Sequence, residues 1–394
     1  MLDLRPGPWL RLIAIVASAG AALAVVSGAL SLHTAHRALA ALAVPPLAAL
    51  VSAAWVAHRR LLGPSVAALA LFVAAALVIG RPLHIAFAAL ALGAALVATA
   101  ATLRGEPVAA APLRDYVTLT KPRIMSLLLL TGACGMIVGA GGFPSAWLFT
   151  VTMAGLALAC GGASALNHVL DRDIDRHMRR TDRRPVAAER VAPTRALEFG
   201  LALSALSFVL LASLVNVLTA LLALAGNLFY VFVYTRWLKR STPQNIVIGG
   251  AAGAIPPLVG WAAATGNVTV PALLLFAIVF FWTPPHFWAL ALLIRRDYEA
   301  AGVPMLPVVR GERETTKQIV LYSTVLVAVT ASPFLWGTLG VAYLVAALLL
   351  GAVFLMLALG LRREPTPRRA ALLFHFSLLY LALLFAAIAV DAAL

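Results

Sequence analysis

The sequence predicts an all-α polytopic membrane protein: a bundle of nine helices preceded by about four further transmembrane helices. Three observations carry that expectation. Of 394 residues, 62% are hydrophobic and 11% are charged, where a soluble domain is nearer a quarter charged. Apolar runs long enough to cross a bilayer, roughly 20 residues each, recur along the chain. Lysine and arginine concentrate in alternate connections, as cytoplasmic loops do.

The first four runs cover 12–31, 38–57, 65–80 and 85–103. The opening run follows a basic start, but no soluble domain comes after it, so it reads as a retained helix rather than a cleaved leader. A polar stretch over 104–123 holds RGEP and RDYVTLTKPR and marks a boundary between an extension, 1–110, and a main domain, 111–394. Nine runs follow, near 124–141, 146–166, 196–215, 218–236, 246–264, 270–294, 318–337, 340–361 and 371–392. The basic connections are 167–185, YTRWLKRS, RRDYEAAG through Lys317, and RREPTPRR, while the connections between them carry no lysine or arginine. That alternation puts the basic ends in the cytoplasm. In the extension HRR (58–60) falls inside, with Arg37 and Arg81 outside. The net charge of +15 therefore belongs to membrane topology and not to nucleic acid. Cys134 and Cys160 lie in apolar runs and read as core residues rather than as a disulfide or metal site.

One basic connection is also acidic: NHVLDRDIDRHMRRTDRRP, 167–185. Asn167, Asp171 and Asp175 are spaced i, i+4, i+8, a stripe on one helix face with about 6 Å of rise per step, and Asp173 points away from it. Oxygen ligands on one stripe suit magnesium, which keeps waters and bridges to phosphate oxygens. A solvated helix end paired with its own arginines would look the same. Asp297 leaves a second cytoplasmic helix end, with Glu299 beside it. If the two ends meet, carboxylates face one another across a cavity mouth. Lys121, Arg123, Arg180, Arg184, Lys239 and Arg240 are candidates to bind a diphosphate there, although each alone also serves as a topology determinant.

The sixth of the nine runs contains FWTPPHFWALAL (281–292). Pro284 and Pro285 lack donors, which predicts a kink or break. His286 sits beside it among Phe281, Trp282, Phe287 and Trp288, and an intramembrane histidine is a functional candidate. A histidine bonded to a carbonyl freed by the prolines is the structural alternative.

These segments resemble the UbiA-type intramembrane prenyltransferases, whose first signature is N-x-x-x-D-x-x-x-D, and within them the branch that farnesylates heme B. The carriers are LTKPRIM (119–125), Asn167 to Asp175 with M-x-R-T-x-x-R-P (178–185), and YTRWLKRSTPQNIVIGGAAGAIPPLVGW (234–261). FWTPPHFWALAL, DYEAAGVPMLPVV (297–309) and FSLLYLALLF (376–385) complete the series. The resemblance implies a bacterial inner-membrane enzyme with a cavity open to the cytoplasmic side and to lipid. Mg2+ held by Asn167, Asp171, Asp175 and Asp297 would bind the diphosphate of farnesyl diphosphate. Asp171, Asp175 and Asp297 would be the catalytic set, with the six cations neutralising the leaving group. A heme B vinyl group would take the farnesyl cation, and water would complete heme O. Tyr234, Asn245, Trp282, His286 and Tyr298 are the expected pocket residues; Arg180 and Arg184 are alternatives for the heme propionates. Heme A synthase or cytochrome oxidase assembly proteins are the partners such an enzyme implies. The sequence departs from the superfamily pattern at one point: Asp297 has Ala301 four residues on and Leu293 four back, where many members pair two aspartates.

The extension resembles half of a heme A synthase in SGALSLHTAHRALA (27–40) and RPLHIAFAALALGAAL (81–96). His36 and His84 both begin helices on the outer side, where they could serve as axial heme ligands or simply sit at the interface. Two rival functions are a prenyltransferase for a quinone or chlorophyll precursor and a transporter. A transporter would place ionisable groups at mid-bilayer, whereas here they gather at helix ends.

Overall fold

The computed structural model describes residues 111–394, the segment 13–21 and the single positions 47, 51 and 68. Residues 13–21 are helical. The remaining expectations for the extension, including its four helices and the pairing of His36 with His84, lie outside the described residues.

From residue 111 the chain is helical throughout. A short α1 (Leu113–Leu119) leads to α2 (Pro122–Ala140), α3 (Ala146–Leu170) and the short α4 (Arg172–His177). Next come α5 (Pro193–Leu214), α6 (Val217–Ser241), α7 (Asn245–Thr265) and α8 (Val270–Leu293). Two short helices, α9 (Arg295–Ala300) and α10 (Leu306–Val309), precede α11 (Gly311–Leu335), α12 (Val341–Arg363) and α13 (Pro367–Ala393). Among the described residues nine of these, α2, α3, α5 to α8 and α11 to α13, are long and apolar enough to span a membrane. The nine expected runs match them. The largest difference is α11, which begins at Gly311 because a polar first turn, GERETTK, extends the helix beyond its apolar part.

Neighbours in sequence pack in order around the bundle, and α13 closes it against α2. Contact between α2 and α7 is especially close. Gly132, Gly135 and Gly139 on α2 face Pro256, Pro257, Gly260 and Trp261 on α7, and a Cβ at Gly260 would land on the Gly132 carbonyl. Small residues let backbones approach where lipid supplies no hydrophobic drive between helices. The core buries Trp282, Trp288, Phe354, Tyr380 and Phe385. Phe143, Trp147 and Trp336 are exposed at the non-basic ends and Trp237 at a basic end, as interfacial aromatic belts require.

Of the kink or break expected at Pro284–Pro285, the break does not occur: α8 runs from Val270 to Leu293 with both prolines inside it. Packing of the surrounding helices holds the segment helical despite two missing donors. The acidic stripe is interrupted instead. α3 ends at Leu170, and Asp171 is the joint before α4, yet the Asp171 amide still donates to Asn167 O and the Asp175 amide to Asp171 O.

Candidate functional site

Asn167, Asp171 and Asp175 keep one face because those two bonds continue the i to i−4 pattern through the joint. All three are at most 3% exposed. Asn167 Nδ2 donates to Asp171 Oδ2 at 2.8 Å and to Thr235 Oγ1 at 3.1 Å. Asp173 lies on the outer side, paired by both its oxygens with Arg240 at 2.7 and 2.8 Å. That pairing holds the Asp173 carboxyl at about 2, below its usual 3.8.

Buried carboxylates demand cations, and three parts of the chain supply four of them. Lys121 precedes α2 in a left-handed backbone conformation (φ 52°) and donates through Nζ to Asn167 Oδ1 at 2.7 Å. Burial and the nearby Arg184 hold its pKa well below the ordinary lysine value, with Asp171 and Asp175 opposing. From α6, Lys239 Nζ contacts Asp171 Oδ2 at 2.5 Å, and Arg240 stands 3.9 Å from Asp171 Oδ1. From the loop after α4, Arg184 donates one nitrogen to both oxygens of Asp175 at 2.8 Å. Arg123 is exposed at the start of α2, and no described side chain pairs with it at the site.

α6 aims its groups by changing pitch. Over Phe229–Leu238 it winds as a π-helix, in which residue i bonds i+5. Tyr234 and Lys239 thereby share a face. Tyr230 stacks on Tyr234 at 5.5 Å.

The second acidic segment reaches this site by packing. Ile174 and Met178 share one buried cluster with Tyr298, Val303 and Met305, and Tyr234 and Phe287 pack against it. Burial raises the Tyr298 phenol above its ordinary value, while the charges of Arg180 and Arg184 oppose the rise. Asp297 is half-buried in the first turn of α9, and Glu299 faces solvent. Among the described residues no three His, Cys, Asp or Glu side chains gather as a ready-made metal cluster. The donor set nevertheless fits magnesium: Asp171 Oδ1 is buried without a hydrogen bond, the kind of hard oxygen that Mg2+ takes.

His286 lies deeper, stacked between Trp282 and Phe374 at 4.4 and 4.9 Å. Its Nδ1 meets Ser377 Oγ at 2.6 Å, not a carbonyl freed by the prolines. Ser377 Oγ donates its proton to Phe374 O, so His286 Nδ1–H must be the donor between them. The lone pair is left on Nε2. Trp282 Nε1 donates to Ser377 O, which locks the same corner. Ser377, Thr235 and Tyr230 were not singled out by sequence reasoning. Tyr230, four residues before Tyr234 in a long apolar run, is the one of the three with a signal.

The UbiA prenyltransferase family model matches residues 128–385. The protoheme IX farnesyltransferase of Symbiobacterium thermophilum is 57% identical over 280 residues, 71% of this chain and 94% of that protein. Its counterparts in a Roseiflexus species and Thermus thermophilus are 48% and 54% identical over 80% and 71% of this chain. This chain spans 63% and 46% of those two. In structure it is similar to digeranylgeranylglyceryl phosphate synthase (TM-score 0.61, 19% identical, 71% of this chain and 98% of that one). It is similar too to a UbiA homologue of Archaeoglobus fulgidus bound to DMAPP and Mg2+ (TM-score 0.51, 20% identical, 70% and 99%). With the family model matching most of the bundle and a relative of this identity matched over nearly its full length, the chain belongs to the UbiA prenyltransferase family.

Proposed function

We propose that the protein transfers the farnesyl group of farnesyl diphosphate to a vinyl group of heme B, giving heme O. The observation that carries this is the 57% identity to a protoheme IX farnesyltransferase over 94% of its length. The buried acid stripe ringed by cations is the chemistry such a reaction needs.

Asn167, Asp171, Asp175 and Asp297 are the residues to hold Mg2+. When bound, the metal neutralises charge on the diphosphate oxygens. Lys121, Arg180, Arg184 and Lys239 add positive charge where it builds on the leaving group as the C1–O bond breaks. With Asp171 and Asp175 holding the metal, their present partners Lys239 and Arg184 would be free for that task. The rings of Tyr230 and Tyr234 line the exit from this charged end and keep water from the allylic cation. The vinyl group then forms the new carbon–carbon bond to C1. Water adds to the resulting cation beside the porphyrin and loses a proton, which completes the hydroxyethylfarnesyl group. His286, with its Nε2 lone pair free, is the residue this reading assigns to the heme. The basic connections support a cytoplasmic site in a bacterial inner membrane.

The test is to incubate purified protein with heme B, farnesyl diphosphate and Mg2+ and resolve the porphyrins by mass. Heme O from the wild type and none from Asp171→Asn or Asp175→Asn is the expected result. Turnover of a phenolic acceptor but not of heme B would overturn the acceptor assignment, and full activity of both variants would overturn the metal site.

A further inference from the structure

Asn245 carries an oxygen that the structure leaves without a partner. It is 0% exposed, yet its Oδ1 accepts no hydrogen bond. The amide orientation is fixed by chemistry, because Nδ2 donates to Thr242 O at 2.7 Å and only a donor suits a carbonyl. Thr242 O also accepts from the Asn245 amide, so the side chain is held by the turn that directly follows Lys239 and Arg240. Burying an acceptor without a partner is costly, and such groups in native structures meet a water, an ion or a catalytic partner.

Three contacts bring the start of α7, which carries Asn245, to the acidic site. Gly249, one helical turn after Asn245 and on the same face, lies against the Tyr234 ring so closely that a Cβ there would collide with it. Thr235, the next residue, accepts from Asn167, and Lys239 of the same segment pairs with Asp171. Ile246, adjacent to Asn245, is buried in one cluster with Ile174 and Met178 from the first acidic segment and Tyr298 from the second. Asn245 therefore stands where the two segments meet. The second segment offers Asp297 with Ala301, not an aspartate, four residues on, and its other carboxylate, Glu299, faces solvent.

Resting on the proposed prenyl transfer, we infer that Asn245 Oδ1 is an oxygen ligand of the divalent metal–diphosphate complex, supplying a donor that the second segment lacks. Mg2+ accepts amide oxygens beside carboxylates, and the orphaned Oδ1 needs no rotation of its amide to serve.

The test reads metal binding directly. Full-length protein in nanodiscs is titrated with Mn2+ in the presence of a non-hydrolysable farnesyl thiodiphosphate, and bound Mn2+ is followed by electron paramagnetic resonance. Asn245→Ala should weaken Mn2+ roughly 10- to 100-fold. Asn245→Asp should bind at least as tightly as wild type, since it restores a harder oxygen while losing the donor to Thr242. A role confined to that turn predicts the opposite, with Asp as damaging as Ala. Circular dichroism melting identifies any variant that fails to fold, and Asn245→Asp then decides alone. Unchanged Mn2+ affinity in folded Asn245→Ala, or loss in Asn245→Asp equal to that in Ala, overturns the inference and leaves the prenyl-transfer reading standing. A wild type that binds no Mn2+ beside the thiodiphosphate removes the metal reading itself.

Discussion

Lys239→Met probes whether the lysine on Asp171 occupies the place of a metal. Asp171 is 1% exposed at its side chain and Lys239 12%, so the pair is shielded from water. Removing one partner of a buried pair costs about 3–5 kcal/mol, because a desolvated charge is left behind. Asp171 keeps the Asn167 Nδ2 bond at 2.8 Å and the Arg240 guanidinium at 3.9 Å, which reduces the expected loss to about 2–3 kcal/mol. Methionine preserves the apolar stem. In detergent with EDTA, the variant should unfold earlier than wild type on thermal or denaturant titration. Because Lys239 and Mg2+ compete for one carboxylate, its removal should tighten Mg2+ by up to the same free energy, roughly 30- to 150-fold at 1.4 kcal/mol per decade. Saturating Mg2+ should then restore most of the lost stability. Turnover should nevertheless fall, since a leaving-group cation is gone. A variant as stable as wild type in EDTA, or one whose Mg2+ affinity is unchanged or weaker, refutes the exchange of lysine for metal.

Gly260→Ala drives a methyl into the Gly132 carbonyl and should cost about 2 kcal/mol or more through separation of α2 and α7, read as a fall in Tm and in folded yield. Asp391 accepts from the Gly340 and Tyr343 amides at 2.5 and 3.1 Å; Asp391→Ala should cost about 1–2 kcal/mol as a lost cap while leaving kcat unaltered. Ser377→Ala removes the acceptor that fixes the His286 tautomer, and the Soret band of the heme-bound protein should shift; an unchanged spectrum would argue that His286 does not meet the heme. The Asp173–Arg240 pair contributes stability that is fully present above pH 3.8 and lost as pH falls toward about 2, because the folded carboxyl is the more acidic one. Acid unfolding of Asp173→Asn should lack that component.

Much of the bundle was legible because crossing a bilayer constrains length and polarity together. Runs of about 20 apolar residues bounded by charge located the nine spans within a few residues, and α11 strayed only where polar residues prolonged a helix. Asn167, Asp171 and Asp175 were legible as a stripe because i, i+4 spacing survives the joint at Asp171. Pro284 and Pro285 did not end the helix, since neighbouring helices overrule the local propensity for a break. Asn245 is named as a pocket residue only through the family resemblance, and nothing in the chain foretold its buried, unpartnered oxygen; Ser377, a serine in an apolar helix, is ordinary until its partners are known.

Residue order alone determined the membrane class, the number of spans in 111–394 and which ends carry charge, since hydropathy and helical period are local properties. Tertiary structure decided which cation neutralises which carboxylate, the pitch of α6 that turns Tyr234 and Lys239 to one side, and the burial of unpartnered oxygens on Asp171 and Asn245. Those depend on contacts between residues far apart in sequence, Lys239 and Asp171 being 68 positions apart, and a buried charge takes its partner from whatever the packing brings within reach.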